Sequence, residues 1–339
     1  MTIKDVAEKS GVSVSTVSRV LNDHPDVSEK VRNRVQAVVN ELHYVPNNSA
    51  RDLIKSEAET IGVIVRGSDN TFFTPVIDKI EEEIEKTGYK MAVSRIKAGE
   101  DEVTAGASLE RSKRSSGLIF LGGCFDYTPE QVAMLDVPFV CCTYTNSFGT
   151  LDPVNYSSVS IDDYEEARRA VDYLIKRGHK KIAILLEAVD DHSISQLRYK
   201  GYQKALEDAG IEPDDELAEE TGVYDMAAAY EGTKRLIERR PDVTAVFTIA
   251  DSMAIAAIKA LHDCGKKVPE DCSVIAIDGI QSSLYTIPTL TTYIQPAKEM
   301  GAAAVRALMD ILEGKGGQIH KRFDTKLREG GTVKKLVSQ

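Results

Sequence analysis

At 339 residues, with 42% hydrophobic and 28% charged side chains, the chain is too long for one ordinary domain and is composed like a soluble multi-domain protein. No run of about 18 apolar residues could span a bilayer, and the opening MTIKDVAEKS alternates charge and apolarity unlike a signal peptide, so a cytoplasmic location is expected. The net charge of -11 argues against a nucleic-acid partner only as an average: residues 1–55 hold eight basic against seven acidic side chains, so the acidity belongs to the remainder.

The first elements are short helices. Ile3, Val6 and Ala7 recur at helical spacing ahead of Ser10-Gly11, which suits a tight turn with positive φ. Ser13 is placed to cap a second helix, on which Val17, Val20 and Leu21 form an inner stripe while Val14, Ser15, Thr16, Ser18 and Arg19 occupy other faces. Ser28 caps a third, with Val31, Val35, Val38, Val39 and Leu42 facing inward. Three short helices with a glycine turn between the first two make a helix-turn-helix. Small hydroxyl side chains on the second helix would let it sink into a DNA major groove, with Arg19 on a guanine edge or a phosphate. A three-helix protein-binding module with a polar face has the same spacing. Residues 47–54, after Pro46, read either as a linker or as the start of a helix too short to be stable alone.

From Thr60 onward, short apolar runs alternate with amphipathic helical stretches. IGVIV (61–65), KMAVS (90–94), GLIFL (117–121) and PFVCC (138–142) are predicted parallel strands, with helices near 74–87, 101–114 and 129–135. A second series repeats the scheme with KIAIL (181–185), TAVFT (244–248) and SVIAI (273–277), and with helices near 164–177, 195–209, 226–239 and 251–263. Two such series imply α/β architecture in two lobes with a cleft between them. Ligands of open α/β sheets bind beyond the carboxyl ends of the strands. At those ends Asn70, Thr143, Asp251 and Asp278 offer polar groups, and Phe72, Phe73 and Tyr144 offer aromatic faces, a mixture that suits a sugar. Asp251 could equally cap the helix that follows it, and Phe72 and Phe73 could equally be core aromatics.

Other chemistry finds little support. The five cysteines lack metal or redox spacing and read as buried thiols, the six histidines are scattered, and neither a metal site nor a cofactor is expected. No catalytic residues are expected: Asp162-Asp163 and Asp190-Asp191 are adjacent rather than convergent, and neither a G-x-S-x-G elbow nor a phosphate-cradling loop is present.

The stretches TIKDVAEKSGVSVSTVSRVLN, VSEKVRNRV and ELHYVPNNSARDL resemble the headpiece of the LacI/GalR repressor family over residues 2–54. Residues 60–339 resemble that family's periplasmic-binding-protein-like core through DNTFF, RGHKKIAIL, SISQLRYKGY, ADSMAIAAIKAL, VPEDCSVIAIDG and PTLTTYIQPAKEMG. The resemblance implies an α/β protein with an N-terminal helix-turn-helix headpiece (1–45), a hinge helix and linker (46–58), and a core (59–339) of two doubly wound lobes. Lobe 1 is expected at about 60–161 and 295–325, and lobe 2 at about 162–290 and 326–339. By position, Val14, Ser15 and Arg19 fall where the family reads bases, while Thr2, Ser13, Thr16, Ser18, Asn22, Ser28 and Tyr44 fall near the DNA backbone. Ala50 and Leu53, with Asn47 at the start of the hinge, match the minor-groove helix whose leucine wedges a base step. Arg198 matches an arginine that grips effector polar groups, Tyr224 a pocket aromatic, Asp278 a cleft carboxylate and Gln295 a cleft amide.

The implied protein is a bacterial transcriptional repressor, a homodimer on a pseudo-palindromic double-stranded operator, on the nucleoid when bound and without a membrane partner. Its affinity would be set by a small molecule, a carbohydrate by expectation, or alternatively by a partner protein or a non-sugar metabolite. Two departures bear on the ligand: Thr143 stands where many relatives have a sugar-binding Asp, and Ala250 where Asn is frequent. Val14-Ser15 is an uncommon pair at the base-reading positions. No leucine-heptad tail follows Gly330, and GGTVKKLVSQ reads as a final strand, so a lac-type tetramer is not expected.

Overall fold

In the computed structural model, which describes residues 3–21, 24, 26–41, 59–67, 70–189 and 192–336, the chain divides into two units, residues 1–58 and 59–339. The first holds α1 (Ile3–Ser10), α2 (Val14–Leu21) and α3 (Glu29–Glu41). The helical stripes converge: Val6, Ala7, Val17, Val20, Val35, Val38 and Val39 form one small buried core, with Val31 and Leu21 packed against it. Ser10 is buried at the end of α1 because its hydroxyl donates to the Val6 carbonyl at 2.6 Å. Gly11 then turns the chain at φ 65°, a conformation that costs a Cβ-bearing residue energy.

The second unit is built on two six-stranded sheets. The first has the order β11-β5-β4-β3-β1-β2, all parallel, from β1 (Thr60–Arg66), β2 (Lys90–Ile96), β3 (Ser115–Leu121), β4 (Phe139–Cys142), β5 (Ser157–Ser160) and β11 (His320–Arg322). The second has the order β12-β10-β9-β8-β6-β7, from β6 (Ile182–Leu186), β7 (Ala218–Glu220), β8 (Ala245–Thr248), β9 (Ser273–Asp278), β10 (Thr291–Ile294) and β12 (Lys326–Arg328). Only β12 runs antiparallel to its neighbour. Central strands of a parallel sheet are covered on both faces, which is why β1, β3 and β9 read as unbroken apolar runs.

The helices follow the same logic. Ile61, Val63 and Val65 meet α4 (Phe73–Glu85) and α11 (Ala297–Leu312) on one face of the first sheet, while Ile64, Leu118 and Phe120 meet Val103 of α5 (Glu102–Lys113) on the other. The second sheet carries α7 (Asp163–Ile175), α8 (Ile194–Asp208), α9 (Met226–Arg239) and α10 (Asp251–Asp263). The chain passes between the sheets three times: from β5 to α7, from β10 to α11, and from β11 to β12. The first and third passages are tied by Arg322 Nη1 donating to Asp162 at 2.7 Å and by Phe323 N–H donating to the Ser160 carbonyl at 2.9 Å.

Several elements depart from the sequence reading. β5, SSVS, carries no apolar run: Ser157 and Ser158 are buried through hydroxyl hydrogen bonds to Gln318 and His320, and Ser160 is buried beside them. β7, β11 and β12 are three-residue edge strands rich in charge, the usual guard against edge pairing and the opposite of an apolar signal. The helix expected at 129–135 is one turn, Pro129–Val132, closed by a Thr128–Gln131 capping box. The run after Gly330 is no strand among the described residues; it is held instead by Val274 N–H to the Thr332 carbonyl and Leu336 N–H to the Arg177 carbonyl. Of the five thiols, Cys141, Cys142 and Cys272 are buried, but Cys264, just past the end of α10, is exposed.

Candidate functional site

In the first unit, Ser13 caps α2: its hydroxyl accepts the Thr16 N–H at 3.1 Å and lies 2.8 Å from both the Ser15 and Thr16 hydroxyls. Capping leaves the outer face of α2 presenting Val14, which is 40% exposed, with Ser15 and Arg19 exposed and Thr16 and Ser18 half-buried. Arg19 is not free: its Nη1 donates to Asp26 at 2.8 Å, and the His24 ring sits 2.7 Å from the other carboxylate oxygen. Asn22, Asn47, Ala50 and Leu53, expected to join this surface and the hinge, lie outside the described residues, as do Thr2, Leu42 and Tyr44.

In the second unit a cavity of about 290 Å³ opens where the carboxyl ends of both sheets meet. The strand orders 2-1-3 and 7-6-8 both reverse direction at this end, the position where doubly wound sheets bind ligands. The first sheet contributes Arg66 at the end of β1 and Gly67 after it, Asn70, Phe72 and Phe73 at the start of α4, Lys97 after β2, Gly122 and Gly123 after β3, and Thr143 and Tyr144 after β4. The second contributes Glu187 after β6, Ser193 and Ile194 at the start of α8, Tyr224 and Asp225 after β7, Asp278 at the end of β9, and Gln295 after β10.

Seven of the nine expected effector residues therefore share one cavity: Asn70, Phe72, Phe73, Thr143, Tyr224, Asp278 and Gln295. Phe72 and Phe73 fill both expected roles, being buried in the core while edging the cavity. Two pocket residues have the backbone conformation that favours glycine, Thr143 at φ 79° and Asp278 at φ 138°.

Arg198 and Asp251 do not line the cavity. Arg198 is fully buried and committed: Nε and Nη2 donate to Asp163 at 3.0 and 2.8 Å, Nη1 donates to the Ile249 carbonyl, and Nη1 lies 3.9 Å from Asp278. Asp251 is the first residue of α10, not its cap, which is Ala250. Its carboxylate accepts from Ile280 N–H at 2.9 Å, the Ser283 hydroxyl at 2.7 Å and the Thr292 hydroxyl at 2.5 Å. Both residues organise the floor beneath the pocket, and strand-end position alone does not separate floor from wall.

The electrostatics follow from this floor. Burial pushes the carboxyls of Asp278, Asp251 and Asp163 above the ordinary range, with Arg198 pulling Asp278 and Asp163 back and Asp251 raising Asp278 further. Asp278 receives one amide donor, Gln295 Nε2 at 2.8 Å, and Arg198 is already engaged with Asp163 and Ile249. Asp278 therefore faces the cavity as a polar group short of donors, beside the Tyr224 phenol, which burial and then Asp278 keep protonated. Lys97, Glu187 and Asp225 were missed by the sequence reading, although they follow strands β2, β6 and β7 and obey the rule that found the others. Among the described residues no group of His, Cys, Asp and Glu could hold a metal ion, and no helix is long and apolar enough to cross a membrane.

A capped helix presenting hydroxyls in one unit, and a two-sheet core with a polar and aromatic cavity in the other, define a DNA-binding regulator with a ligand-sensing core. The chain belongs to the LacI family of bacterial transcriptional regulators. Its residues 2–47 match the family model of bacterial regulatory proteins, lacI family, and residues 171–333 match the periplasmic binding protein-like domain. It is 40% identical over 331 residues to the HTH-type transcriptional regulator MalR of Clostridium butyricum, covering 97% of this chain and 98% of MalR. Among solved structures it is similar to the CelR-cellobiose complex (TM-score 0.72, 27% identity, 98% of this chain and 99% of that one). It is also similar to the lac repressor dimer bound to operator and the anti-inducer ONPF (TM-score 0.70, 27% identity, with the same coverage).

Proposed function

We propose that the chain represses transcription as a homodimer on a pseudo-palindromic operator, and that a small carbohydrate bound between the two lobes of the core sets its operator affinity. The observation that carries this reading is the cavity itself. Phe72, Phe73 and Tyr224 offer faces for the C–H surface of a sugar ring, and Asp278, Gln295 and Asn70 offer directed partners for its hydroxyls. The CelR-cellobiose complex supports a sugar, and the operator-bound lac repressor dimer supports the assembly. Val14 and Ser15 are the base-reading candidates on α2, with Arg19 available once Asp26 releases it. The wedge assigned to Leu53, with Ala50 and Asn47, rests on the sequence resemblance.

Ligand control requires that the effector bind one lobe arrangement better than the other. The test is a thermal-shift screen of the purified protein against monosaccharides, disaccharides and nucleobases, followed by operator binding with the hits. A sugar that raises the melting temperature of the wild type, fails to do so for Asp278→Asn, and changes operator affinity supports the reading. A nucleobase hit, or no small-molecule hit alongside a shift with a partner protein, overturns it.

A further inference from the structure

Beneath the first sheet's side of the cavity lies a carboxylate that the effector reading does not use. Glu102, the first residue of α5, is fully buried. Its Oε1 accepts the Cys124 N–H at 2.5 Å and the Tyr127 hydroxyl at 2.7 Å. Its Oε2 is buried with no hydrogen bond and lies 3.5 Å from Arg66 Nε. The Tyr127 hydroxyl in turn lies 2.5 Å from that of Tyr144. One buried carboxylate thus gathers the end of β1 (Arg66) and the loops after β3 (Cys124) and β4 (Tyr144), three of the segments that wall the cavity.

The chain has a direction. The Tyr127 hydroxyl donates its hydrogen bond to Glu102, so the short contact beyond it needs Tyr144 as donor, and the Tyr144 oxygen keeps its lone pairs. Burial holds both phenols protonated, as this direction demands. Gly123 completes the fit, since a Cβ there would stand 2.4 Å from the Tyr144 hydroxyl and 2.8 Å from Glu102 Oε1. Arg66 uses Nε on the Glu100 carbonyl at 3.3 Å and faces Glu102; its two Nη groups bond to none of the described residues, and Arg66 lines the cavity.

We propose that Glu102 is a positioning residue of the effector site, holding Arg66 as a donor on the lobe-1 wall and fixing the hydroxyl direction of Tyr144, so that this wall selects a ligand presenting oxygen acceptors to Arg66. A buried carboxylate with one unbonded oxygen needs its cation, and the cation here is a pocket residue. The inference rests on the effector-site reading above and adds which end of the ligand meets lobe 1: acceptors face Arg66, while donors face Asp278.

The test combines two readouts on full-length Glu102→Gln and Tyr127→Phe. The first is the nitrogen-15-edited NMR resonance of the Arg66 Nε–H, assigned by its loss in Arg66→Lys. It should shift in Glu102→Gln, as the charge beside it is lost, but stay in place in Tyr127→Phe, which keeps the carboxylate. The second is calorimetric binding of maltose and of cellobiose, where Glu102→Gln should weaken whichever sugar binds at least tenfold and Tyr127→Phe less. An Arg66 resonance unchanged in Glu102→Gln, or wild-type affinity in that variant, overturns the proposal. If neither sugar binds the wild type, the effector reading loses these ligands, and the resonance alone decides the role of Glu102. Should Glu102→Gln not fold, Glu102→Asp takes its place: a shortened carboxylate that leaves the Arg66 resonance unmoved counts against the proposal, and one that moves it counts for it.

Discussion

The two walls of the cavity are organised around buried charges of opposite sign. In lobe 1 a single anion, Glu102, collects a guanidinium, a backbone N–H and a pair of phenols. In lobe 2 a single cation, Arg198, sits among Asp163, Asp278 and a carbonyl, with Asp251 held separately by hydroxyls. Neither Glu102 nor Arg198 lines the cavity, and each lies against a residue that does, Arg66 and Asp278 respectively. The lesson is that polarity at a sugar-type site is set one layer down, where desolvation makes each charge costly to leave unpaired.

The sharpest way to break this comparison is to remove the lobe-2 cation. Arg198→Met leaves Asp163 buried and unpaired, which costs about 3–5 kcal/mol, as read by urea denaturation. A loss under about 1 kcal/mol would mean that Asp163 is not ionised in the folded protein. On the lobe-1 side, Gly123→Ala drives a methyl into the Tyr144 hydroxyl and should cost about 1–3 kcal/mol by the same measurement. A neutral outcome would show that the tyrosine pair is loosely held.

Asp278 tests the lobe-2 charge through pH. Its carboxyl is raised in the folded state, so the folded protein holds a proton that the unfolded chain releases above about pH 4. Stability from this group is complete below that point and is lost as pH climbs through the raised value. Asp278→Asn should therefore gain melting temperature on the wild type between about pH 5 and about pH 8, by about 2–4 °C if the effect is about 1 kcal/mol; a constant difference across that range would mean that Asp278 stays charged. A partly cancelling effect is expected at Thr143, a β-branched residue at positive φ. Thr143→Gly relieves strain of about 1–3 kcal/mol but adds unfolded-state entropy of about 0.4–1 kcal/mol, so a net gain of about 0–2.6 kcal/mol is expected in thermal melts, and destabilisation would place a compensating contact at the Thr143 side chain.

Much of this architecture was legible in the sequence, because a parallel strand buried on both faces must be an apolar run and a helix over a sheet must carry a stripe. IGVIV, GLIFL and SVIAI announce β1, β3 and β9 in this way. β5 and the edge strands hid because serine hydroxyls and charged edges stabilise them without apolar side chains. At the cavity, the strand-end rule located Asn70, Thr143 and Asp278 but also drew in Asp251, whose three donors come from residues 29 to 41 positions away. Arg198 was placed by resemblance, and its pairing with Asp163 depends on contact between α8 and α7 that no local pattern encodes. Glu102 gave no signal at all: a glutamate in the first turn of a helix is ordinary, and only the packing of Tyr127 and Tyr144 over it makes it otherwise.

The Arg19–Asp26 pair bears on how operator binding will respond to salt. Each cation that reaches a phosphate releases counterions condensed on the duplex, and that release is what makes protein–DNA affinity fall as ionic strength rises. Arg19 arrives already partnered, so its move onto DNA trades one ion pair for another and leaves Asp26 with the His24 ring. Lys9 likewise pairs with Glu41 at 2.7 Å. The affinity of this unit should therefore depend on salt as though it carried fewer cations than its sequence spells, and a larger share of its binding must come from shape and base contacts that salt does not weaken.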